Sequence, residues 1–156
     1  MPADAVDALR SSALFAGLSE QELENLANLV RRVSYPKGTV VFAEGDPGDA
    51  LYFVEAGRVR ISKVLSGVGE EALAIFGPGS VFGEMAVLDG GRRSADAIVH
   101  EDARLLVLDR DRFQELLRED KEFAYQVLTG IVCSLAGRVR EMNDKLFAFY
   151  ALAAFT

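Results

Sequence analysis

The sequence is poor in the residues on which disulfides and metal centres depend. Its 156 residues include one cysteine, one histidine and no tryptophan. The single cysteine, Cys133, cannot form an internal disulfide, which is typical of a reducing compartment. Because Cys133 lies in an apolar helical stretch, we expect a small buried side chain rather than a reactive thiol. The single histidine, His100, cannot supply the several imidazole ligands of a metal-dependent enzyme, so we expect no metal site and no cofactor.

Long apolar runs and an excess of positive charge are also missing. No stretch of about 18 uncharged apolar residues occurs, so we expect no membrane insertion. The first residues, 1–4, lack the basic region and apolar run of a signal peptide. The formal net charge of −7 disfavours a nucleic-acid partner, because phosphates are neutralised by Lys and Arg. These absences predict a soluble cytoplasmic protein with no direct contact to DNA.

The residues that are present predict one domain in three parts. Half of the residues are apolar, which is enough for a real core. Residues 1–32 read as helices, with a short helix at 5–10. Ser19 and Glu22 have the spacing of a capping box before a second helix that ends near Arg32.

Residues 33–108 read as strands. Runs rich in β-branched and aromatic residues are separated by glycine turns, and about eight short strands of this kind favour a roll or barrel. The clearest runs are Val40–Phe42, Leu51–Val54, Arg58–Val64, Leu73–Phe76, Asp96–Val99 and Leu105–Leu108.

Residues 109–156 read as helices. Asp109 is expected to cap the N-terminus of a helix that extends to Leu117, and Asp120 is expected to begin a longer helix. In the longer helix, apolar residues follow spacings of 4, 3, 4, 3 and 4, which is the seam of a two-stranded coiled coil. They are Leu135, Val139, Met142, Leu146, Phe149 and Ala153. Either a second copy of the chain or the chain's own strands cover this face, and we favour a homodimer.

The segment from Gly79 to Ala95 carries the chemistry. Gly83 lets a ligand approach the backbone, and the free N–H groups of the helical turn that follows attract an anion. Glu84 begins that turn, and a buried carboxylate there needs donors such as sugar hydroxyls. Arg93, nine residues later, has the planar fork that suits phosphate oxygens. Together these groups indicate a sugar-phosphate site.

Two stretches, Phe82–Leu88 and Arg93–Ala95, resemble the phosphate-binding cassette of the cyclic-nucleotide-binding family. This family includes catabolite-activator regulators, regulatory subunits of the cAMP-dependent kinase and cyclic-nucleotide-gated channels. Its upstream glycine turns are matched at Leu14–Ser19, Tyr35–Gly38, Glu44–Asp49 and Leu51–Gly57. The resemblance implies an eight-stranded antiparallel, jelly-roll-like β-roll with N-terminal helices, a cassette at 82–95, and C-terminal hinge and lid helices.

The resemblance also implies a role for each site residue. Glu84 corresponds to the residue that binds the ribose 2′-hydroxyl, and Arg93 to the one that binds the cyclic phosphate. Ser94 would add a hydroxyl, and a serine rather than a threonine there favours cAMP over cGMP. The remaining residues implied are Phe82, Gly83, Met85, Ala86 and Ala95 in the cassette, Ile61 and Leu73 at the base, and Arg138, Met142 and Asn143 as a cap. The alternative for the cap residues is a solvated face of the coiled coil.

The implied function is that of a sensor without catalytic residues. A cyclic nucleotide would move the C-terminal helices and so control a separate protein effector. The chain ends at Thr156, which leaves no room for a helix-turn-helix, so we do not expect a transcription factor. Two alternatives stay open: a domain of a larger regulator or channel that no longer responds to nucleotide, and a metal-dependent cupin-like enzyme built around His100, Glu101 and Asp102.

Overall fold

The structure is a computed structural model that describes residues 2–156, with side chains from Asp4 onwards. The chain opens with two helices, α1 (Pro2–Arg10) and α2 (Glu20–Leu29). The capping box is confirmed: Glu22 N–H donates to Ser19 Oγ, and Ser19 N–H donates to the Glu22 carboxylate, each over 3.2 Å. Helix α2 ends before the predicted Arg32, because Arg31 and Arg32 already pair as strand residues.

Six strands follow and form one antiparallel sheet. They are β1 (Arg31–Tyr35), β2 (Val40–Phe42), β3 (Ala50–Leu65), β4 (Gly69–Phe76), β5 (Val81–Phe82) and β6 (Asp96–Asp109). The order is β1-β6-β3-β4, with β2 paired to β6 and β5 paired to β3. A mainly β fold with flanking helices is therefore confirmed, whereas the predicted number of eight strands is wrong.

Two long strands explain why the structure has six strands rather than the eight predicted. Strand β3 joins two predicted runs, and so does β6. The predicted turn at Gly57 is a bend inside β3, where the pairing with β6 shifts register. Gly57 has a φ of 80°, and a side chain there would collide with the Asp102 carbonyl. The glycine therefore lets the strand bend as a bulge without ending.

The sheet separates two apolar cores. Successive side chains of a strand point to opposite faces, and in β3 this sends Leu51 and Phe53 towards the helices and Tyr52 and Val54 into the roll. The helix-side core also contains Leu9, Leu26, Phe113, Phe123 and Val127. The roll core also contains Val59, Phe82, Val99 and Leu105. Strand β5 and the short helix α3 (Glu84–Asp89) that follows it reach both cores, since Phe82 of β5 enters the roll core and Val87 of α3 the helix-side core.

Helices α4 (Arg110–Glu119) and α5 (Lys121–Ala153) complete the chain. Asp120 caps α5 as predicted, accepting from Phe123 N–H over 3.0 Å. Asp109 occupies the cap position of α4 but its side chain makes no cap hydrogen bond. Helix α5 packs on the core through Phe123, Val127 and Ile131. Cys133 is exposed, contrary to our expectation, because two residues rotate it about 200° away from Ile131.

The second half of α5 leaves the roll. The seam residues Val139, Met142, Leu146 and Phe149 are 49–67% exposed, so this face does not pack on the chain's own strands. Leu135, the first residue of the seam, is half-buried against the helix-side core. Within residues 2–156, no helix has the length and apolar composition that crossing a membrane requires.

Candidate functional site

The cassette is built around the backbone of Gly83. This glycine follows β5 with a φ of 81° and precedes the first turn of α3. A side chain at Gly83 would lie 2.9 Å from the Arg93 guanidinium and 3.3 Å from the Tyr52 ring. Because Gly83 has no side chain to cap α3, the amide N–H groups of the first turn receive no cap bond from it. Glycine therefore allows both the left-handed turn and the close approach of Arg93.

Arg93 is buried, with 3% of its surface exposed. Its Nη1 donates to the Gly83 carbonyl over 2.7 Å and its Nη2 to the Ala50 carbonyl over 2.6 Å. The guanidinium also lies 4.1 Å from the centroid of the Phe42 ring. Among the described residues, its buried Nε has no hydrogen-bond partner. A buried donor without an acceptor is costly, and an anion is the group that would satisfy it best.

Glu84 is the second buried charge, also 3% exposed. Its carboxylate lies 3.1 Å from Nη1 of Arg138, which comes from α5. The Arg138 guanidinium also lies 5.1 Å from the centroid of the Phe76 ring. The long helix therefore contacts the cassette directly, at the residue predicted to bind the sugar.

A cavity of about 150 Å³ lies between these two charges. Its lining contains all but one of the predicted cassette and base-pocket residues: Ile61, Phe82, Gly83, Glu84, Met85, Ala86, Arg93, Ser94 and Ala95. Leu73 is the exception, being 55% exposed and outside the lining. In the register of β3 with β4, Ile61 pairs with Ala74 and Ser62 with Ala72, which leaves Leu73 as the extra residue of a bulge.

Of the three predicted cap residues, only Arg138 lines the cavity. Met142 is 67% exposed, and Asn143 is exposed as well. One further turn of helix carries them about 6 Å along the axis, away from the roll.

Aromatic rings that the sequence analysis missed surround the cassette. Phe42 and Phe76 line the cavity, and Tyr52 stacks on Phe82 with ring centroids 5.1 Å apart. Burial raises the pKa of Tyr52 to about 12, so its hydroxyl stays neutral beside Arg93. Phe42 approaches Arg93 because β2 pairs with β6, the strand that follows the cassette. That pairing is not visible in the linear pattern.

A larger cavity of about 670 Å³ adjoins the first. Residues 12–14, residues 79–81 and α5 from Gly130 to Arg138 form its walls. It shares Phe76, Glu84 and Arg138 with the smaller cavity. In the part of the chain that is described, no cluster of His, Cys, Asp and Glu could hold a metal ion.

Comparison with known proteins agrees with this geometry. The family model described as the cyclic nucleotide-binding domain matches residues 32–120, more than half of the chain. The cyclic AMP receptor protein of Thermus thermophilus is 39% identical over 138 residues, which are 88% of this chain and 62% of that protein. The cAMP-dependent protein kinase regulatory subunit of Aspergillus niger is 36% identical over 109 residues, 70% of this chain and 26% of that protein.

Solved structures share the fold. A cyclic nucleotide-binding domain from Methylobacillus flagellatus matches with a TM-score of 0.80 and 28% identity, over 94% of this chain and 82% of that one. The chain spans about three fifths of the length of the receptor-type regulators that it matches. From the match of residues 32–120 and the buried cassette, this chain belongs to the cyclic nucleotide-binding domain family.

Proposed function

We propose that this chain is a non-catalytic cyclic nucleotide sensor that binds cAMP, with cGMP as the alternative ligand. One observation carries the proposal: two oppositely charged side chains, Glu84 and Arg93, are each 3% exposed and line the same cavity. Burying charges is costly unless they are paired, and both have partners within the chain, yet the buried Nε of Arg93 has none among the described residues. A ligand with both an anionic phosphate and sugar hydroxyls would use both charges.

Each part of the ligand has a matching group. Arg93 offers an unpaired buried Nε to the cyclic phosphate, and Ser94 lies exposed at the cavity wall to add a hydroxyl. The Glu84 carboxylate would accept hydrogen bonds from the ribose. The base would lie against Ile61 and Phe76, which are half-buried at the cavity wall. The names of the Thermus and Aspergillus relatives refer to cAMP, which supports an adenine nucleotide.

The output would be a movement of α5. A ligand shifts a conformational equilibrium only through its different affinity for the two states. Helix α5 reaches the site through Arg138, so a ligand at Glu84 changes a contact of that helix. We propose that the rearranged helix is recognised by a protein effector, and that the exposed seam of α5 forms a homodimer.

Calorimetry with cAMP, cGMP and cyclic di-GMP tests ligand binding. We expect cAMP to bind most tightly. If none of the three binds, the proposed ligands are wrong, and the alternative of a domain that uses the fold for protein interaction is favoured.

Hydrogen exchange with and without cAMP tests the output. We expect changed protection in residues 83–95 and also in residues 127–150. A change confined to residues 83–95 at saturating cAMP would leave a passive binding module and would contradict the switch.

A further inference from the structure

Phe42 covers one face of the buried Arg93 guanidinium. The Cζ atom of Arg93 lies 4.1 Å from the centroid of the Phe42 ring and 5.9 Å from that of Tyr52. A guanidinium over an aromatic face is attracted by the quadrupole of the ring, most strongly where water is excluded. Arg93 is 3% exposed, so water is largely excluded here. Phe42 therefore makes the closer of two aromatic contacts to the arginine of the cassette.

The loop that follows Phe42 also holds the backbone of Arg93. Gly45 N–H donates to the Arg93 carbonyl over 2.9 Å, and Arg93 N–H donates to the Asp46 carbonyl over 2.8 Å. Phe42 itself, the last residue of β2, pairs with Ala97 of β6 after an irregularity in the register. An irregularity of this kind re-aims a side chain. One segment of the chain thus fixes both the backbone and the side chain of Arg93.

The contacts of Arg93 leave its Nε donor for a ligand. Nη1 and Nη2 already donate to the carbonyls of Gly83 and Ala50. Nε is buried and has no acceptor in the part of the chain that the structure describes. Because a guanidinium is planar and rigid, a ring against one of its faces helps to fix the direction in which Nε–H points.

We infer that Phe42 is a positioning residue, whose ring holds the Arg93 guanidinium ready for the cyclic phosphate. This inference rests on the proposed function. A site that spends only part of its time in the binding-competent form loses apparent affinity in proportion. Without the ring, the Arg93 side chain would have more rotamers open to it, so the affinity would fall although Arg93 itself is unchanged. Phe42 also lines the cavity, so the test must separate this effect from direct contact with the ligand.

The test measures cAMP affinity by calorimetry on the whole chain with mono-, di- or trifluorophenylalanine at position 42. Fluorine withdraws electrons from the ring and weakens its attraction for a cation, while the ring keeps nearly the same shape. We expect the affinity to fall stepwise along the series, by about 5- to 30-fold for the trifluorinated ring. The same replacements at Phe53 are the control and should leave cAMP binding unchanged, because Phe53 is buried in the helix-side core and does not line the cavity.

Two ordinary variants extend the series. Phe42→Tyr keeps an electron-rich ring and should bind cAMP nearly as tightly as the parent. Phe42→Leu removes the ring and should lose at least as much affinity as the trifluorinated protein. The fluorinated proteins cover the case in which Phe42→Leu does not fold, since they keep the ring in place.

The direction of the trend decides between the possible roles of Phe42. If the parent binds cAMP and the fluorinated proteins all bind equally well, Phe42 has only a packing role, and the proposed function stands. An affinity that rises with fluorination would mean that the ring faces the phosphate itself, because a ring with fewer electrons repels an anion less. Positioning through Arg93 would then be wrong. If the parent binds no cyclic nucleotide, the proposed function fails, and the role of Phe42 fails with it.

Discussion

The cassette and the second half of α5 both carry clear sequence patterns, but the structure buries the charged residues of the cassette and leaves the apolar residues of α5 exposed. In the cassette, Arg93 and Glu84 are buried, and each has partners within the same chain. In α5, Met142 and Leu146 are 67% and 49% exposed and pack on nothing in the roll. Exposed apolar seams of this kind mark interaction surfaces. The charged residues of the cassette are therefore supported within one chain, whereas we propose that a second copy of the chain covers the seam.

This contrast separates two kinds of experiment. A change in the cassette should alter ligand binding and leave the oligomeric state intact. A change in the seam should do the reverse. A third region, the ion pairs of Glu55 on the roll, serves as a reference because it belongs to neither.

The largest effect is expected in the seam. Replacing Met142 and Leu146 together with Asp should convert a dimer into a monomer, because burying unpaired charge costs several kcal/mol for each ion. Light scattering measures the change. Ala148→Asp, off the seam on the same helix, is the control and should leave a dimer. A monomeric parent protein would contradict the dimer and remove this half of the comparison.

The next effect is expected at Arg93. Arg93→Leu should weaken cAMP binding by about 2–5 kcal/mol, since truncating one member of a buried charged contact costs that much. Calorimetry gives the affinity, and light scattering should show an unchanged oligomer. Arg93→Lys, which keeps the charge, controls for loss of folding and should show a smaller defect. Unaltered binding by a folded Arg93→Leu protein would disprove the role of this residue.

Glu55 should change stability alone. It accepts from Arg32 and Arg104 over 2.6 Å each. Burial by itself would raise its pKa, but these hydrogen bonds lower the pKa overall. The pKa of Glu55 in the folded protein lies below the ordinary value of a glutamate, so the stabilisation is fully present above the unfolded pKa and is lost as the pH falls through the folded pKa.

The measurement is urea unfolding at several pH values. At pH 7, Glu55→Gln should cost about 1.5–3 kcal/mol, the worth of charge-assisted hydrogen bonds. The variant should also lose less stability than the parent on acidification. If the free energy of unfolding of the parent and of Glu55→Gln fell equally on acidification, the stabilising role of Glu55 would be contradicted. If Glu55→Gln changed the affinity for cAMP, Glu55 could no longer serve as a reference region.

The smallest effect is expected at Ser94. Ser94→Ala should weaken cAMP binding by only about 0.5–1.5 kcal/mol, because it removes one neutral hydrogen bond. Calorimetry beside Arg93→Leu makes the comparison direct. Equal losses in the two variants would mean that Arg93 does not carry the phosphate contact.

The features that depend on residues close together in the sequence, the helix caps and the cassette, could be predicted from the sequence. The caps at Ser19 and Asp120 depend on residues three positions apart, and both form as expected. The cassette lies within 14 consecutive residues, from Phe82 to Ala95, and nearly all of its predicted members line one cavity. Short-range patterns of this kind are readable because backbone geometry alone brings their members together.

Errors appear where contacts are long-range. The strand through Gly57 continues because β6 stays paired beside it, and Leu73 leaves the cavity through a bulge that its partner strand determines. Cys133 is exposed because of how α5 sits on the core. Which face of α5 meets the core, and which strand stays paired beside Gly57 or Leu73, is not encoded in the spacing of neighbouring residues.

The sequence by itself determined the family fold, the cassette and the apolar seam, since each is a pattern of nearby residues. Only the tertiary structure decided which groups meet across the chain. Glu84 meets Arg138, 54 residues away, and Arg93 meets the ring of Phe42. These long-range contacts depend on strand pairing and helix placement. Both are determined by the packing of the whole core rather than by the secondary-structure preference of single residues.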